Sequence, residues 1–384
     1  METLLWISIA ALAFIYVGYG ILITVLNKLL NNKPQVTTPQ TYPSIAILIA
    51  AYNEEEVIDL KLQNTTALDY QGSVTVYVIS DGSTDNTNQI VGNHPQVTLL
   101  WQAARRGKSA AINRAMPFIK EEITVFTDAN VMLEKNALIA LAQSYNNDKV
   151  GGVSGEKVVE KDDRAAAAST EGAYWKYESF LKRQDARLYS IAGAAGELFS
   201  IRTHLFQAIP EDTLLDDFII AMNIIKQGYT VKYAPEAKAV EKPSFDIEEE
   251  YKRKVRIAAG GLQASIRCAA IMNPFIYGIF AFQFIVHRVS RWTVAPLFIL
   301  LAFISNVFLL GQGSFYQILL LLQLSFHLAA LAGWYFNTIG KKVKLLYIPF
   351  YFDFMHYCVV LGWIRYLKGN QSAAWQKATR LSYS

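Results

Sequence analysis

The chain has 384 residues, of which 52% are hydrophobic and 18% charged, and it carries a formal net charge of +4. This composition is too apolar for an ordinary soluble enzyme and too charged for a pure bundle of membrane helices, so one soluble domain plus membrane spans is expected. The small, scattered positive charge argues against a nucleic-acid-binding protein and fits a basic face turned towards anionic membrane lipids. Cys268 and Cys358 are far apart in sequence and match neither a metal-ligand spacing nor a disulfide framework.

Residues 1–30 are predicted to form an N-terminal transmembrane anchor. Residues 4–26 contain no charge, and a helix of about 23 residues is long enough to cross a hydrocarbon core of roughly 30 Å. Glu2 stands where a cleaved signal peptide would have a basic region, so we expect the anchor to be permanent. Lys28 and Lys33 follow it, and the positive-inside tendency then places the next domain in the cytosol.

Residues 44–270 are predicted to form a cytosolic α/β domain, joined to the anchor by a polar linker at residues 34–43. Four strand-like apolar runs alternate with helical stretches, and they read SIAILIA, VTVYVIS, VTLLW and ITVFTDA. Repeated βα units of this kind predict a doubly wound, mostly parallel sheet. Since such sheets bind ligands at the carboxyl ends of their strands, the polar residues after the runs are the candidate site.

Polar clusters follow the strands at residues 52–56, 81–85, 106–108 and 127–130. Asp128 and Asn130 carry oxygen ligands two residues apart, which suits Mg²⁺ or Mn²⁺ held jointly with substrate phosphates. Lys108 at a helix start suits a phosphate, although a P-loop is excluded because Gln102 stands where its glycine is needed. Taken alone, each cluster is also typical of a turn or of an acidic helix N-terminus.

In this order, the motifs AAYNEE, VISDGSTDNT, RGKSAAINRA and FTDAN resemble the nucleotide-binding half of the inverting family 2 glycosyltransferases. This family includes the cellulose, chitin, hyaluronan and poly-N-acetylglucosamine synthases. The resemblance continues through GAAGELFSIR, LLDDFIIAMNIIKQGYTVKYAPEA and RKVRIAAGG, and it covers nearly the whole chain. It implies a GT-A-like fold, a UDP-sugar donor, and a multi-pass protein of the cell (inner) membrane whose catalytic domain faces the cytosol.

The resemblance also implies roles for individual residues on the nucleotide side. Tyr52, Glu54 and Asp81 match the residues that contact the uracil and ribose of a UDP-sugar. Asp128 and Asn130 fall on the DxD motif, which holds the metal on the diphosphate. Because the second acid is an amide in this chain, the site loses one negative charge, and we expect either weaker metal affinity or a further contributing residue.

On the acceptor side, the resemblance assigns the general base to Asp217, the second acid of LLDD. An inverting transfer needs a carboxylate that accepts the proton of the acceptor hydroxyl as this attacks the anomeric carbon. The family usually has TED at this place, and Asp216 either contributes to the acceptor side or serves as a helix N-cap. Gly193 and Gly196 are expected to line the acceptor side, although helix packing explains small residues equally well.

Processive members of the family carry a Q/RxxRW motif about 35 to 40 residues after the base. Arg253 and Arg256 fall at that distance, and their spacing of three puts both guanidinium groups on one helical face, where they can bind the diphosphate. Ile257 occupies the tryptophan position, which leaves stacking on the acceptor sugar in question. A literal RxxRW at Arg288 to Trp292 is interpreted as an interfacial anchor before a membrane span.

The rest of the chain is predicted to return to the membrane. Residues 271–292 are expected to be interfacial or re-entrant, because their apolar run is too short to span. Residues 293–384 are predicted to contain the C-terminal transmembrane region and a tail. The expected spans are residues 294–310, 315–336 and 345–364. Flanking charges leave a fourth C-terminal span open, and three spans would place the C-terminus outside the cell.

Three functions remain open on the sequence. The first is a processive synthase that adds sugars to a growing β-linked polysaccharide and passes this product through its own spans. UDP-N-acetylglucosamine is the expected donor, and UDP-glucose and UDP-glucuronate are the alternatives. The second is a transferase that adds one sugar to a lipid-linked or oligosaccharide acceptor, and it is favoured by Ile257 and by the small membrane part. The third is a catalytically inactive scaffold or export subunit, which only Asn130 supports. An export partner cannot be identified from the sequence.

Overall fold

The computed structural model describes residues 1–31, 42–160, 168–242, 247–339, 341 and 343–369. The chain divides into two compact units. The first unit comprises residues 1–30, 162–176 and 246–370, and the second comprises residues 31–161, 177–245 and 371–384. Most of the predicted linker and the whole C-terminal tail lie outside the described residues.

Strands and helices alternate along the middle of the chain, between helices at its start and helices after residue 241. The strands are β1 (Ile45–Ala51), β2 (Val74–Asp81), β3 (Val97–Gln102), β4 (Ile123–Asp128), β5 (Val131–Leu133), β6 (Val150–Val159), β7 (Leu198–Arg202) and β8 (Thr230–Glu241). The α-helices are α1 (Glu2–Ala13), α2 (Tyr19–Leu29), α3 (Ile58–Thr66), α4 (Thr87–Gly92), α5 (Lys108–Ala115), α6 (Ala137–Ala142), α7 (Ala168–Leu188), α8 (Asp216–Lys226), α9 (Ile247–Arg267), α10 (Pro274–Tyr277), α11 (Ile279–Phe284), α12 (Ser290–Trp292), α13 (Ala295–Phe308), α14 (Ser314–Thr338) and α15 (Lys344–Leu367).

The second unit is built on an eight-stranded sheet with the order β3-β2-β1-β4-β7-β6-β8-β5. The four strands predicted from the sequence, β1 to β4, are parallel neighbours. β7 is antiparallel to both β4 and β6, while β6 and β8 are parallel. The predicted mostly parallel α/β fold is therefore confirmed, with antiparallel pairing added at β7 and at the edge strand β5.

The central strand β1 determines where the polar strand ends meet. Every residue of β1 is buried, as expected for an apolar strand that is covered on both faces of a sheet. Its register pairs Ala51 with Ser80 of β2 and Ala50 with Asp128 of β4. The carboxyl ends of β1, β2 and β4 consequently lie side by side at one edge of the sheet.

The first unit contains the long apolar helices. Within the described residues, three helical segments are long and apolar enough to cross a membrane, namely Glu2–Leu29, Ser314–Thr338 and Lys344–Leu367. Ile279–Trp292 and Ala295–Phe308 form a pair bent by 62°, which gives up to four spans if the pair counts as one. The predicted interfacial segment 271–292 and the predicted span 294–310 together contain this pair. The second helix begins at Ala295, with Pro296 in its first turn. The number of C-terminal spans stays a prediction.

Candidate active site

Asp81 at the end of β2 orders the loop that leads to α5. Its Oδ1 accepts a hydrogen bond from the backbone N–H of Arg106 (3.0 Å), and its Oδ2 accepts one from Gly107 (2.6 Å). Gly107 has a φ of 94°, a conformation that glycine adopts without strain. Asp81 is buried, and its contact with the uracil stays a prediction. In that contact a lone pair of the carboxylate that the two backbone N–H groups do not use would accept a hydrogen bond from the base.

The first two motifs are joined by hydrogen bonds between their loops. Asn53 Oδ1 accepts the backbone N–H of Thr84 (2.8 Å), and the Thr87 hydroxyl accepts the N–H of the buried Glu54 (2.8 Å). These contacts hold the two loops together at the strand ends, and the N-cap residues Val57 and Asn86 of the helices that follow make no side-chain cap hydrogen bond. Tyr52 is partly exposed, and the guanidinium carbon of Arg105 lies 3.7 Å from the centre of its ring.

Lys108, the first residue of α5, joins the nucleotide side of the candidate site to the LLDD segment. Its Nζ lies 2.7 Å from Asp128 Oδ1 and 3.4 Å from Asp216 Oδ2. Burial opposes the charge of Lys108, but Asp128, Asp216 and Asp217 together raise the pKa of its ammonium group above the usual value. Asp128 and the adjacent pair Asp216 and Asp217, which lie almost 90 positions apart in sequence, thus act on one ammonium group.

Asp217 lies at the start of α8 and is partly exposed. Burial and the adjacent Asp216 raise the pKa of Asp217 to about 7, although Lys108 acts in the opposite direction. A carboxyl group with such a pKa can exchange protons near neutral pH. This is the property that the predicted general base requires.

The two predicted acceptor glycines lie against the start of α8. A Cβ at Gly196 would lie 3.4 Å from Asp217 Oδ2, an ordinary van der Waals distance, so Gly196 lies directly beside that carboxylate. Gly193 has a φ of +104°, and a Cβ there would lie 2.6 Å from the Phe218 ring. Packing against Phe218 thus accounts for Gly193, and Gly196 lies next to Asp217. The place of both glycines on the acceptor side stays a prediction.

The donor set fits a divalent cation that is shared with phosphate oxygens. Among the residues that the structure describes, no group of three or more His, Cys, Asp or Glu side chains could hold a metal ion by itself. Asp128 and Asp216 contact the single ammonium group of Lys108, and Asp217 acts on it electrostatically, so negative charge is in excess when the three acids are ionised. The pKa of Asp128 is raised chiefly by burial and to a smaller extent by Glu197 and Asp216, while Lys108 acts in the opposite direction. Magnesium is commonly bound by one or two carboxylates plus substrate phosphates.

A second set of contacts, not foreseen from the sequence, holds α5 against the segment before α8. The Asn113 side chain makes paired hydrogen bonds with the backbone of Ile209 (2.7 and 3.0 Å), and the Ser109 hydroxyl donates to the Thr213 carbonyl (3.2 Å). These residues belong to the RGKSAAINRA motif, whose spacing places Ser109 and Asn113 on one helical face. The motif therefore positions the LLDD acids as well as presenting Lys108.

Arg253 and Arg256 lie on α9 in the first unit, whereas the other candidate residues belong to the second. The Arg253 guanidinium pairs with Glu250 at 3.0 Å, and Arg256 is partly exposed. Their predicted contact with a diphosphate stays a prediction. Trp292 of the literal RxxRW packs against α9, because a Cβ at Gly261 would clash with its indole ring.

Comparisons with known proteins agree on the family and the fold. The family model "Glycosyltransferase like family 2" matches residues 43–260. The poly-beta-1,6-N-acetyl-D-glucosamine synthase of Staphylococcus aureus (strain COL) is 26% identical over 251 residues, covering 62% of this chain and 59% of that protein. Its counterpart in Staphylococcus epidermidis is 24% identical over 253 residues, covering 63% and 59%. The chain thus matches less than two thirds of the length of these relatives.

The solved structure of a mannosyltransferase, PcManGT from Pyrobaculum calidifontis in complex with GDP-Man and Mn²⁺, resembles this chain along its length. The TM-score is 0.72 at 23% identity, and the match covers 96% of this chain and 99% of that one. This likeness confirms the predicted GT-A-like fold. With the family model matching more than half of its residues, the chain belongs to the family 2 glycosyltransferases.

Proposed function

We propose that this chain is a membrane-embedded, processive glycosyltransferase that transfers a sugar from a UDP-sugar, with inversion, onto a growing β-linked polysaccharide and passes the product across the membrane. UDP-N-acetylglucosamine is the proposed donor, since the matched relatives in Staphylococcus are poly-N-acetylglucosamine synthases. The observation that carries the proposal is Asp217, whose pKa of about 7 arises beside Asp216 and Lys108 at the strand-end edge of the sheet.

In the proposed reaction Asp217 acts as the general base. Its ionised carboxylate accepts the proton of the acceptor hydroxyl while the hydroxyl oxygen forms a bond to the anomeric carbon. The bond from that carbon to the diphosphate breaks, and its electron pair leaves with UDP. A pKa of about 7 makes the carboxylate basic enough to take the proton and leaves an appreciable fraction ionised at neutral pH.

Lys108 is proposed to meet the donor diphosphate. Its ammonium group lies 2.7 Å from Asp128, and a phosphate oxygen would be a further anionic partner at the same place. A divalent cation bound by Asp128 and Asn130 would neutralise the charge that develops on the departing diphosphate. The domain would face the cytosol of a multi-pass cell-membrane protein, where nucleotide sugars are available.

A second candidate function is the transfer of a single sugar to a lipid-linked or oligosaccharide acceptor. The observation in its favour is Ile257, which stands on α9 where processive members carry the tryptophan that stacks on the acceptor sugar. Without an aromatic ring at that position, retention of the growing chain between additions would need another residue.

The test is UDP release by the detergent-purified chain against a panel of UDP-sugars, with Mn²⁺ or Mg²⁺ and with chelator. Release with one sugar and a long product would establish the processive synthase. Release with a product extended by one sugar, or only after a lipid acceptor is added, would establish the single-addition transferase. No release with any UDP-sugar and either cation, under conditions where UDP binds, would refute both.

A further inference from the structure

Lys61 is a fully buried lysine beneath the turn that carries Asp128 and Asn130. Its exposed fraction is 0%. The Nζ donates hydrogen bonds to the Thr127 hydroxyl (3.0 Å) and to the Val131 carbonyl (2.5 Å). Within the described part of the chain, Lys61 forms no ion pair with a carboxylate. Because a buried amine without an ionic partner is unfavourable, packing alone does not account for lysine at this position.

The two acceptors of Lys61 lie on either side of the turn. Thr127 precedes the turn in β4, and Val131 begins β5, so the three residues 128–130 are the whole connection between them. One amine therefore fixes both ends of the segment that presents the Asp128 carboxylate and the Asn130 amide.

The same amine is linked to the acceptor side of the site. The Thr127 hydroxyl accepts from Lys61 and donates its own hydrogen to the carbonyl of Glu197 (2.9 Å). Glu197 follows Gly196, the residue that packs against the Asp217 carboxylate. A continuous set of hydrogen bonds thus runs from Lys61 through Thr127 to the segment beside the proposed base.

Electrostatics agree with this placement. Burial lowers the pKa of Lys61 to about 7, while the charge of Asp128 acts in the opposite direction. Asp128 therefore interacts with Lys61 through space although the two side chains do not form an ion pair. The negative charge of Asp128 favours the protonated amine, and the two hydrogen bonds to Thr127 and Val131 need only two N–H donors.

We propose that Lys61 is a positioning residue, which holds the turn at residues 128–130 in the geometry that binds a divalent cation together with the donor diphosphate. The inference rests on the proposed function, because it concerns the same nucleotide site. Groups that orient the ligands of a metal commonly change its affinity by roughly 10- to 100-fold when they are removed.

The test is calorimetric binding of UDP to the purified full chain, with Mn²⁺ and with chelator, for the wild type and Lys61→Met. Methionine fills a similar buried volume and donates no hydrogen bond. We expect the dissociation constant measured with Mn²⁺ to rise about 10- to 100-fold, and the weaker binding in chelator to change less than threefold. A variant that only damaged the fold would weaken both.

Lys232→Met is the matched control. Lys232 is a partly buried lysine of the same unit, and its Nζ likewise donates two hydrogen bonds, in this case both to backbone carbonyls, those of Ala186 (2.9 Å) and Tyr189 (2.7 Å). It contacts none of the candidate site residues in the described structure. Its substitution is expected to leave UDP binding with Mn²⁺ unchanged.

If Lys61→Met does not fold, the same binding measurement is made on Thr127→Val and Thr127→Ser. Valine removes the hydroxyl between Lys61 and Glu197 and should weaken Mn²⁺-dependent binding, whereas serine should restore it. Wild-type affinity in a folded Lys61→Met, or in Thr127→Val, would overturn the inference while leaving the proposed function intact. Failure of the wild type to bind UDP with Mn²⁺ would instead overturn the proposed function, and the inference with it.

Discussion

Replacing Asp217 by asparagine is expected to remove turnover and to stabilise the protein at the same time. Asparagine has nearly the same size as aspartate, but its amide cannot take a proton from an acceptor hydroxyl. A positioned general base typically contributes a factor of 10²–10⁴ to the rate. The rate of UDP release at saturating donor should therefore fall by at least about 100-fold, with little change in UDP binding.

The stabilisation follows from the pKa of the same group. Burial and Asp216 raise the pKa of Asp217 from 3.8 to about 7, so folding favours the protonated carboxyl. The contribution of this carboxyl group to the free energy of unfolding is fully present below about pH 4 and is lost as the pH rises through 7. A shift of about 3 units corresponds to a ceiling of about 4 kcal/mol, which screening of this partly exposed side chain reduces to about 1–2 kcal/mol. The neutral amide avoids that loss.

The assay is UDP release together with thermal unfolding of the wild type and Asp217→Asn at pH 5 and pH 8. The melting temperature of the variant should exceed that of the wild type by a few degrees at pH 8 and by less than half as much at pH 5. Asp148→Asn, at a fully exposed acid, is the control and should change neither quantity. Retained turnover would refute the assignment of the base, and a lower melting temperature at pH 8 would refute the electrostatic argument.

Further predictions concern the surroundings of the base. The rate of UDP release should increase as the pH rises through about 7. The midpoint of this increase should move to lower pH in Asp216→Asn, because the variant lacks a negative neighbour of Asp217. It should move to higher pH in Lys108→Met, because that variant lacks a positive neighbour. Gly193→Ala should lower the free energy of unfolding by about 2–4 kcal/mol, because it adds a clash with Phe218 to an unfavourable φ. Gly228→Ala, at an unfavourable φ in open space, should lower it by only about 1 kcal/mol in thermal unfolding.

The strands β1, β2 and β4 could be predicted because their sequences alone specify them. Apolar, β-branched runs of this length are typical of strands buried on both faces, and each ends at a polar cluster. β7 could not be assigned in the same way. It is a five-residue strand whose antiparallel place between β4 and β6 depends on pairing with residues more than 40 positions away.

The part of the candidate site that lies at the carboxyl ends of the strands could be predicted from the sequence. Parallel strands bring Asp81 and Asp128 to one edge, so their proximity follows from the fold class. The contacts of Lys61 with Thr127 and of Asn113 with Ile209 join residues 66 and 96 positions apart, and no local pattern marks such pairs. A lysine within an amphipathic helix is typical of a solvated face, and only the structure shows Lys61 fully buried.

Asn130 stands where the DxD motif of the family has its second acid, and restoring this acid tests how the amide affects cation binding. Asn130→Asp would add a second anionic oxygen ligand two residues from Asp128. Charges a few ångströms apart interact by a few kcal/mol at an effective dielectric constant of about 20. The Mn²⁺ concentration that gives half-maximal UDP release should therefore fall by about tenfold or more. Without a cation the two carboxylates repel, so the melting temperature in chelator should fall and Mn²⁺ should restore it.

Asn147→Asp adds the same charge at an exposed loop position of the same unit and provides the control. It should change neither the Mn²⁺ requirement nor the difference between the melting temperatures with Mn²⁺ and with chelator. If Asn130→Asp behaved like this control, residue 130 would not contact the cation, and the assignment of Asp128 and Asn130 as a joint metal site would be wrong. Tighter Mn²⁺ binding with unchanged maximal turnover would mean that the amide sets the cation affinity and leaves the chemical step to Asp217.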